Sequence, residues 1–378
     1  MVSHSVDLRL KEYASLRDGN ALDVPSLLIP KLALPKSNLP KDFEVLSGGG
    51  YLAVVHIDGN GAGRMAQHAD GEPVSDLNTW LLSEFAIQTR FHGMRVRLRR
   101  ATQHALKEVF GEWPDQGDRP YQLLMLAGDD LLLVCRASRA LPFVMYLCKE
   151  LKTKGSKGTG SPDQPLTVGA GVAIAQHSLP FHRLQEVAEA LCASAKKLAR
   201  RWAADTNQSV STVDWQVLTG SLAQDPNAWR QRHAVAPTHQ GNAAGLSARP
   251  FAVLRPGPDN PAGVPLSSLE ALLEKACEVL EAQKRKPSLA ARSQLKGLAS
   301  QFEAGCALAQ LAWCELPEPL LKILESVELG LEVGSPWTYS ADRCHALTTA
   351  LDLVDVMEIG RLGKVSAGPV LRTEGSPA

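Results

Sequence analysis

The chain has 378 residues, enough to bury a sizeable core in one large domain or two smaller ones. Hydrophobic residues make up 44% and charged residues 21%, and 40 Lys and Arg balance 40 Asp and Glu. That balance excludes a general charge-driven affinity for polyanions but leaves room for a local basic patch.

Residues 1–10 hold no long apolar run, and no stretch approaches the roughly 18 apolar residues that cross a bilayer. Neither a signal peptide nor a membrane partner is expected. The seven cysteines (Cys135, Cys148, Cys192, Cys277, Cys306, Cys314 and Cys344) are scattered, with no CxxC pair. This pattern fits small buried hydrophobes in a reducing cytoplasm, not a disulfide framework or structural zinc.

In chain order, residues 1–48 read as an extended arm. Pro25, Pro30, Pro35 and Pro40 recur every five residues, too often for a helix. Gly48-Gly49-Gly50 ends the arm as a joint. Residues 49–220 then form one unit. YLAVVHI (51–57) predicts a buried strand ended by a glycine-rich turn. Ser75 is a candidate N-cap, and helical spacing runs from Leu77 to Phe110, with Gly93 as a point of interruption. YQLLMLAGDDLLLVCRA predicts a hairpin. Next come a helix over 141–151, a Gly/Ser/Lys loop over 152–165, a strand over 166–175, a helix over 181–202 and a strand over 210–218.

This order is that of a split β-α-β unit with a central hairpin. It predicts an α+β fold, a ferredoxin-like palm of the nucleotidyl cyclase and polymerase type. Residues 221–264 read as a loop-rich connector with one strand near 251–254. A separate helical domain is expected over 265–365, with helices at 266–284, 288–312 (N-capped by Ser288), 318–328 and 340–360. Residues 366–378 are small and polar, the composition of a disordered tail.

Two short motifs carry chemistry. Asp58 ends the first strand and is followed by Gly59-Asn60-Gly61-Ala62-Gly63. A carboxylate beside glycines suits Mg²⁺ held against a triphosphate, with backbone N–H groups free for phosphate oxygens. Taken alone, the motif equally describes a strand-to-helix turn. The second motif is Gly128-Asp129-Asp130 at the hairpin tip. Two adjacent acids there repel unless a cation neutralises them, whereas a structural turn manages with Asn-Gly or Asp-Gly.

Jointly, Asp58, Asp129 and Asp130 predict a catalytic and metal-binding cluster at one rim of the sheet, for two Mg²⁺ or Mn²⁺ ions. Gly59, Asn60, Gly61, Gly63 and Gly128 are the expected nucleotide contacts. Lys196 is the expected phosphate ligand, on a helix that also bears Lys197, Arg200 and Arg201. His56, His177, Trp202, Trp215, Trp313 and Trp337 read as core or edge residues. Arg95, Arg97, Arg99 and Arg100 form a basic stretch, read either as a solvated face or as a contact for nucleic acid.

VHIDGNGAG, LAGDDLLLV and VGAGVAIAQHSLPFHRLQEVAEALCASAKK resemble the GGDEF-like palm of the large polymerase subunit of type III CRISPR effector complexes. Stand-alone relatives of that subunit carry similar segments. VDWQVLTGS, RPFAVL and KPSLAARSQLKGLASQFEAG resemble the segments C-terminal to that palm. The similarity covers about 50 to 310. It implies conversion of ATP to cyclic or linear oligoadenylates, second messengers of antiviral defence, with metal ligands at Asp58, Asp129 and Asp130.

The chain departs from that pattern in lacking an HD nuclease pair, a zinc module and a second palm. Asn60 stands where some relatives have an acid, and Ala127 replaces the first glycine of the hairpin. Expected partners are a nucleoside triphosphate (ATP before others), RNA or effector-complex subunits, and a second copy of the chain. The alternative is a catalytically silent palm that binds nucleotide or RNA as a scaffold. A diguanylate cyclase is disfavoured because Glu-Phe does not follow the Gly-Asp pair.

Overall fold

The computed structural model describes residues 42–61, 77–111, 121–153, 166–218, 226–237, 243–255, 268–285, 292–326, 329–331, 334–339 and 346–361. Gly63, Ser75, Ser288, Cys344, most of the proline-rich arm and the 366–378 tail lie outside them.

The sheet is built from β1 (Tyr51–Gly59), β2 (Tyr121–Ala127), β3 (Asp130–Arg136), β4 (Val168–Gln176), β5 (Thr212–Leu218) and β8 (Phe251–Ala252). Its spatial order is β2-β3-β1-β4-β5-β8. β1 is antiparallel to both β3 and β4, and β5 runs parallel to β4. The first four strands thus follow the ferredoxin-like order, as expected from the chain order of the elements.

β1 sits in the middle, and its composition shows why. Leu52, Ala53, Val54, Val55 and Ile57 are all fully buried, because both faces of the sheet are covered. Ala53, Val55 and Ile57 face a cluster shared with α2 (Leu77–Phe110) and α3 (Ala137–Thr153). Leu52 and Val54 face a smaller cluster under α4 (Phe181–Thr206). By the same alternation His56 and Asp58 point to the α4 side.

α4 lies very close to β4. A Cβ at Gly171 would come within 2.0 Å of the Ala188 carbonyl oxygen and 2.4 Å of the Cys192 nitrogen. The glycines of VGAGVAIA are therefore a packing requirement, and they bring the α4 side chains down onto the sheet.

Several sequence expectations are corrected. Phe43–Ser47, placed in the extended arm, is a short helix (α1) capped by Asp42 and closed by Gly48 in the left-handed region. Gly93 does not interrupt α2, which runs unbroken from Leu77 to Phe110, and a Cβ there would meet open space. The expected 288–312 helix is two, α7 (Arg292–Ala304) and α8 (Cys306–Cys314), broken at Gly305 with φ 138°. The expected 340–360 helix begins only at Ala350 (α10, Ala350–Arg361).

In its place Thr338–Tyr339 (β9) and Ala346–Leu347 (β10) join β6 (Val235–Pro237) and β7 (Ala243–Gly245) in a second sheet of order β6-β7-β10-β9. α10 packs on α6 (Leu269–Arg285) and α3, so the C-terminal helices share a core with the α2–α3 side of the main sheet. α5 (Pro226–His233) and α9 (Glu318–Leu324) complete the described helices.

A buried ionic cluster ties these parts together. Arg249, 8% exposed, contacts Asp352 at 2.8 Å and Asp355 at 3.2 Å. It also donates to the Trp215 carbonyl at 2.9 Å and lies over the Trp215 ring. Next to it, fully buried Asp214 accepts from Arg230 Nη1 at 2.7 Å.

Candidate metal and nucleotide site

The hairpin and β1 converge because their register demands it. Ile57 pairs with Leu131, so one step further Asp58 faces Asp130. The Gly59 N–H donates to the Asp129 carbonyl at 3.2 Å. A Cβ at Gly59 would stand 2.8 Å from Asp129 Cβ, so only glycine lets the hairpin close on the strand. Ala127 and Asp130 pair across a two-residue turn whose first residue, Gly128, has φ 66°. That is the position where such a turn calls for glycine. Ala127 itself ends β2 and needs no special conformation.

One carboxylate oxygen from each of Asp58, Asp129 and Asp130 lies within 4.8 Å of the others. The three acids predicted from two distant motifs thus share one rim. Burial raises the Asp129 and Asp130 carboxyls above the usual range. The negative charges of their neighbours, Asp58 among them, add to the rise. His56, on the same side of β1, and Lys196 offset it in part for Asp130.

Lys196 reaches this rim from α4. Its Nζ donates to Asp58 Oδ2 at 2.6 Å and to the Gly59 carbonyl at 3.0 Å. The lysine stem lies over Gly169, where a Cβ would come within 2.4 Å of Lys196 Cγ. Cys192, one turn earlier, donates to the Gly169 carbonyl at 3.3 Å, and burial pushes its thiol up to about 12. It is a packing residue. Lys197, Arg200 and Arg201 are exposed and take no part in these contacts.

Asn60 is held by hydrogen bonds within the protein. Its backbone N–H donates to the Thr167 carbonyl at 2.8 Å. Its side-chain amide donates to Thr167 Oγ1 at 3.1 Å and to the Val210 carbonyl at 3.2 Å. It pins the glycine turn to the starts of β4 and β5, and it lies outside the carboxylate cluster. Gly61 has φ 77° with open space around it, and Gly63 lies outside the described residues. Thr167 and Gly169 belong to the site's frame; Gly169 lies in the VGAGVAIA segment, whereas no motif marked Thr167.

The donor set suits a hard divalent cation, being all oxygen and rich in charge. Three acids held within 4.8 Å of one another, with one lysine among the described residues to balance them, make an arrangement that a bound cation would relieve. Trp202, Trp215, Trp313 and Trp337 are all buried, as core residues. No helix among the described residues is long and apolar enough to cross a membrane.

No family profile and no curated protein matches the chain. Among solved structures, the Csm1–Csm4 cassette in complex with one ATP is similar at 18% identity and a TM-score of 0.30, over 41% of this chain and 21% of that one. Csm1 in T. onnurineus is similar at 15% identity and a TM-score of 0.35, over 85% and 38%. The GGDEF domain of DgcB from Caulobacter crescentus, in complex with c-di-GMP, gives 14%, 0.29, 46% and 81%. This chain therefore spans about a fifth to two fifths of the Csm1 chains. These scores are low, and the ferredoxin-like assignment stands on the strand order and register of the chain itself.

Proposed function

We propose that the chain is a metal-dependent nucleotidyltransferase that joins ATP into cyclic or linear oligoadenylates, serving antiviral defence. The observation that carries the reading is the convergence of Asp58, Asp129 and Asp130 with a single balancing lysine. The choice of ATP and of the defence role rests on the motif resemblance alone.

In this reading Asp58, Asp129 and Asp130 hold two Mg²⁺ or Mn²⁺ ions. When bound, such ions activate a ribose hydroxyl and stabilise a leaving pyrophosphate. The chain's own residues bind and orient. The Gly61 N–H, in open space, meets a phosphate oxygen, while Gly59 closes β1 on the hairpin through its bond to the Asp129 carbonyl and Gly128 turns the tip. Lys196 moves from Asp58 to neutralise a phosphate.

The hydroxyl oxygen of one nucleotide forms a new ester bond to the α-phosphorus of another. The bond from that phosphorus to the bridging oxygen breaks, pyrophosphate departs, and the hydroxyl proton passes to solvent. No side chain acts as nucleophile, and the rate gain comes from positioning and charge neutralisation. A second copy of the chain supplies the second nucleotide.

Purified protein with Mg²⁺ or Mn²⁺ and labelled ATP is expected to release pyrophosphate and yield oligoadenylates. Metal-dependent ATP binding without any product would replace this reading by the scaffold alternative.

A further inference from the structure

A second charged surface lies outside the acidic rim. α2 carries Arg95, Arg97, Arg99 and Arg100. Arg95 and Arg100 are exposed and Arg99 is half-buried, and none of the three has a hydrogen bond or ion pair among the described residues. Elsewhere cations pair readily, as in Arg255 with Glu274, Arg361 with Glu358 and Lys149 with Glu270. In a chain of zero net charge, this block is a local excess.

Its position is fixed by Arg97, which is half-buried and donates from Nη2 to the Leu151 carbonyl at 3.3 Å. Leu151 lies in the last turn of α3, and Lys152 beside it is exposed. β3 leaves the hairpin tip at Asp130 and α3 returns. Its 17 residues span about 25 Å, and the 7 residues of β3 about 23 Å. The end of α3 therefore comes back level with the hairpin tip.

A second path gives the same level. The Phe110 ring packs on the Tyr121 ring, centroids 4.8 Å apart, at the far end of β2. From Phe110 back to Arg95 is about 22 Å along the helix, and from Tyr121 to Ala127 about 20 Å along the strand. The arginines stand beside the same end of the sheet as Asp129 and Asp130.

We propose that this basic end of the α2–α3 layer holds the phosphodiester backbone of a single-stranded RNA next to the acidic rim. Guanidinium forks bind phosphate oxygens bidentately, and the block is all arginine, the side chain suited to that geometry. A membrane surface would call for exposed apolar anchors beside the cations; the neighbouring apolar residues Met94, Leu98 and Ala101 are instead buried in the core. The proposal stands on the arginines and does not depend on turnover.

The test is fluorescence anisotropy of the full chain with a labelled single-stranded RNA at several salt concentrations. Binding is expected at low salt and to weaken as salt rises. Arg95→Glu with Arg100→Glu should weaken it at least about tenfold and flatten the salt slope by about 2. Arg95→Ala with Arg100→Ala should do so more mildly if the reversed pair folds poorly. Asp129→Ala with Asp130→Ala should still bind, which separates this surface from the catalytic reading. Three results would overturn the proposal: no binding at low salt, an equal loss from Arg200→Glu with Arg201→Glu on the opposite face, or equal competition by polyglutamate.

Discussion

Two clusters of charge in this molecule follow opposite rules. In the buried cluster, Asp214 and Asp352 are wholly inaccessible, and each faces an arginine. Asp352 also accepts from Ser247 Oγ at 2.8 Å and from the Ala248 N–H at 2.7 Å. At the acidic rim, three carboxylates share one lysine, and Asp58 remains 32% exposed. The first arrangement satisfies its charges internally and so joins β5, the connector and α10. The second leaves negative charge that a cation from solution would neutralise. Acids that a fold declines to pair, at a site it keeps open, mark function better than acids alone.

The sharpest way to break this contrast is to empty the rim. Asp129→Ala with Asp130→Ala should lower pyrophosphate release from ATP by about 10³-fold or more, since metal stabilisation of transition-state charge is worth several kcal/mol. The fold should persist, as judged by circular dichroism. Full activity in that double variant would remove the catalytic reading.

The buried cluster should respond in the opposite way. Arg249→Met strands Asp352 and is expected to cost about 3–5 kcal/mol of stability in urea titration. A loss below about 1 kcal/mol would show that Asp352 does not depend on Arg249.

Lys196 lies between the two regimes, as an internal cation seated on Asp58. Lys196→Met should lower the Tm of the metal-free protein by about 2–4 °C. Mn²⁺ alone should then bind several-fold more tightly, while ATP with metal binds more weakly. Unchanged Mn²⁺ affinity, read by titration calorimetry, would mean that the lysine does not compete for the site.

The smallest effect concerns pH. Because the Asp129 carboxyl is raised in the folded state, its ionisation costs stability once pH climbs past the ordinary carboxylate range. Asp129→Asn should therefore raise the Tm of the metal-free protein at neutral pH by about 1–2 °C. The gain should vanish below the ordinary carboxylate range, where the wild-type group is already protonated. A gain independent of pH would point to the turn and not to charge.

The acids were legible in the sequence because strand and hairpin signals placed them and because paired aspartates at a turn have no structural use. The order of the first four strands came from the same signals. Asn60 was not legible. Its partners Thr167 and Val210 lie 107 and 150 residues away, and only the registry of β1, β4 and β5 brings them together. The same holds for β10, which pairs with β7 across about a hundred residues where helical spacing alone suggested a helix. The break at Gly305 escaped because one glycine does not usually end a helical pattern. Arg249 carried no local signal either, since its partners belong to α10 and β5.

Anomalous scattering from crystals grown with Mn²⁺ and a non-hydrolysable ATP analogue tests the central claim directly. Manganese peaks are expected among the carboxylates of Asp58, Asp129 and Asp130, with Lys196 turned from Asp58 toward the phosphates. Peaks elsewhere, or a nucleotide bound away from that rim with Lys196 still on Asp58, would contradict it.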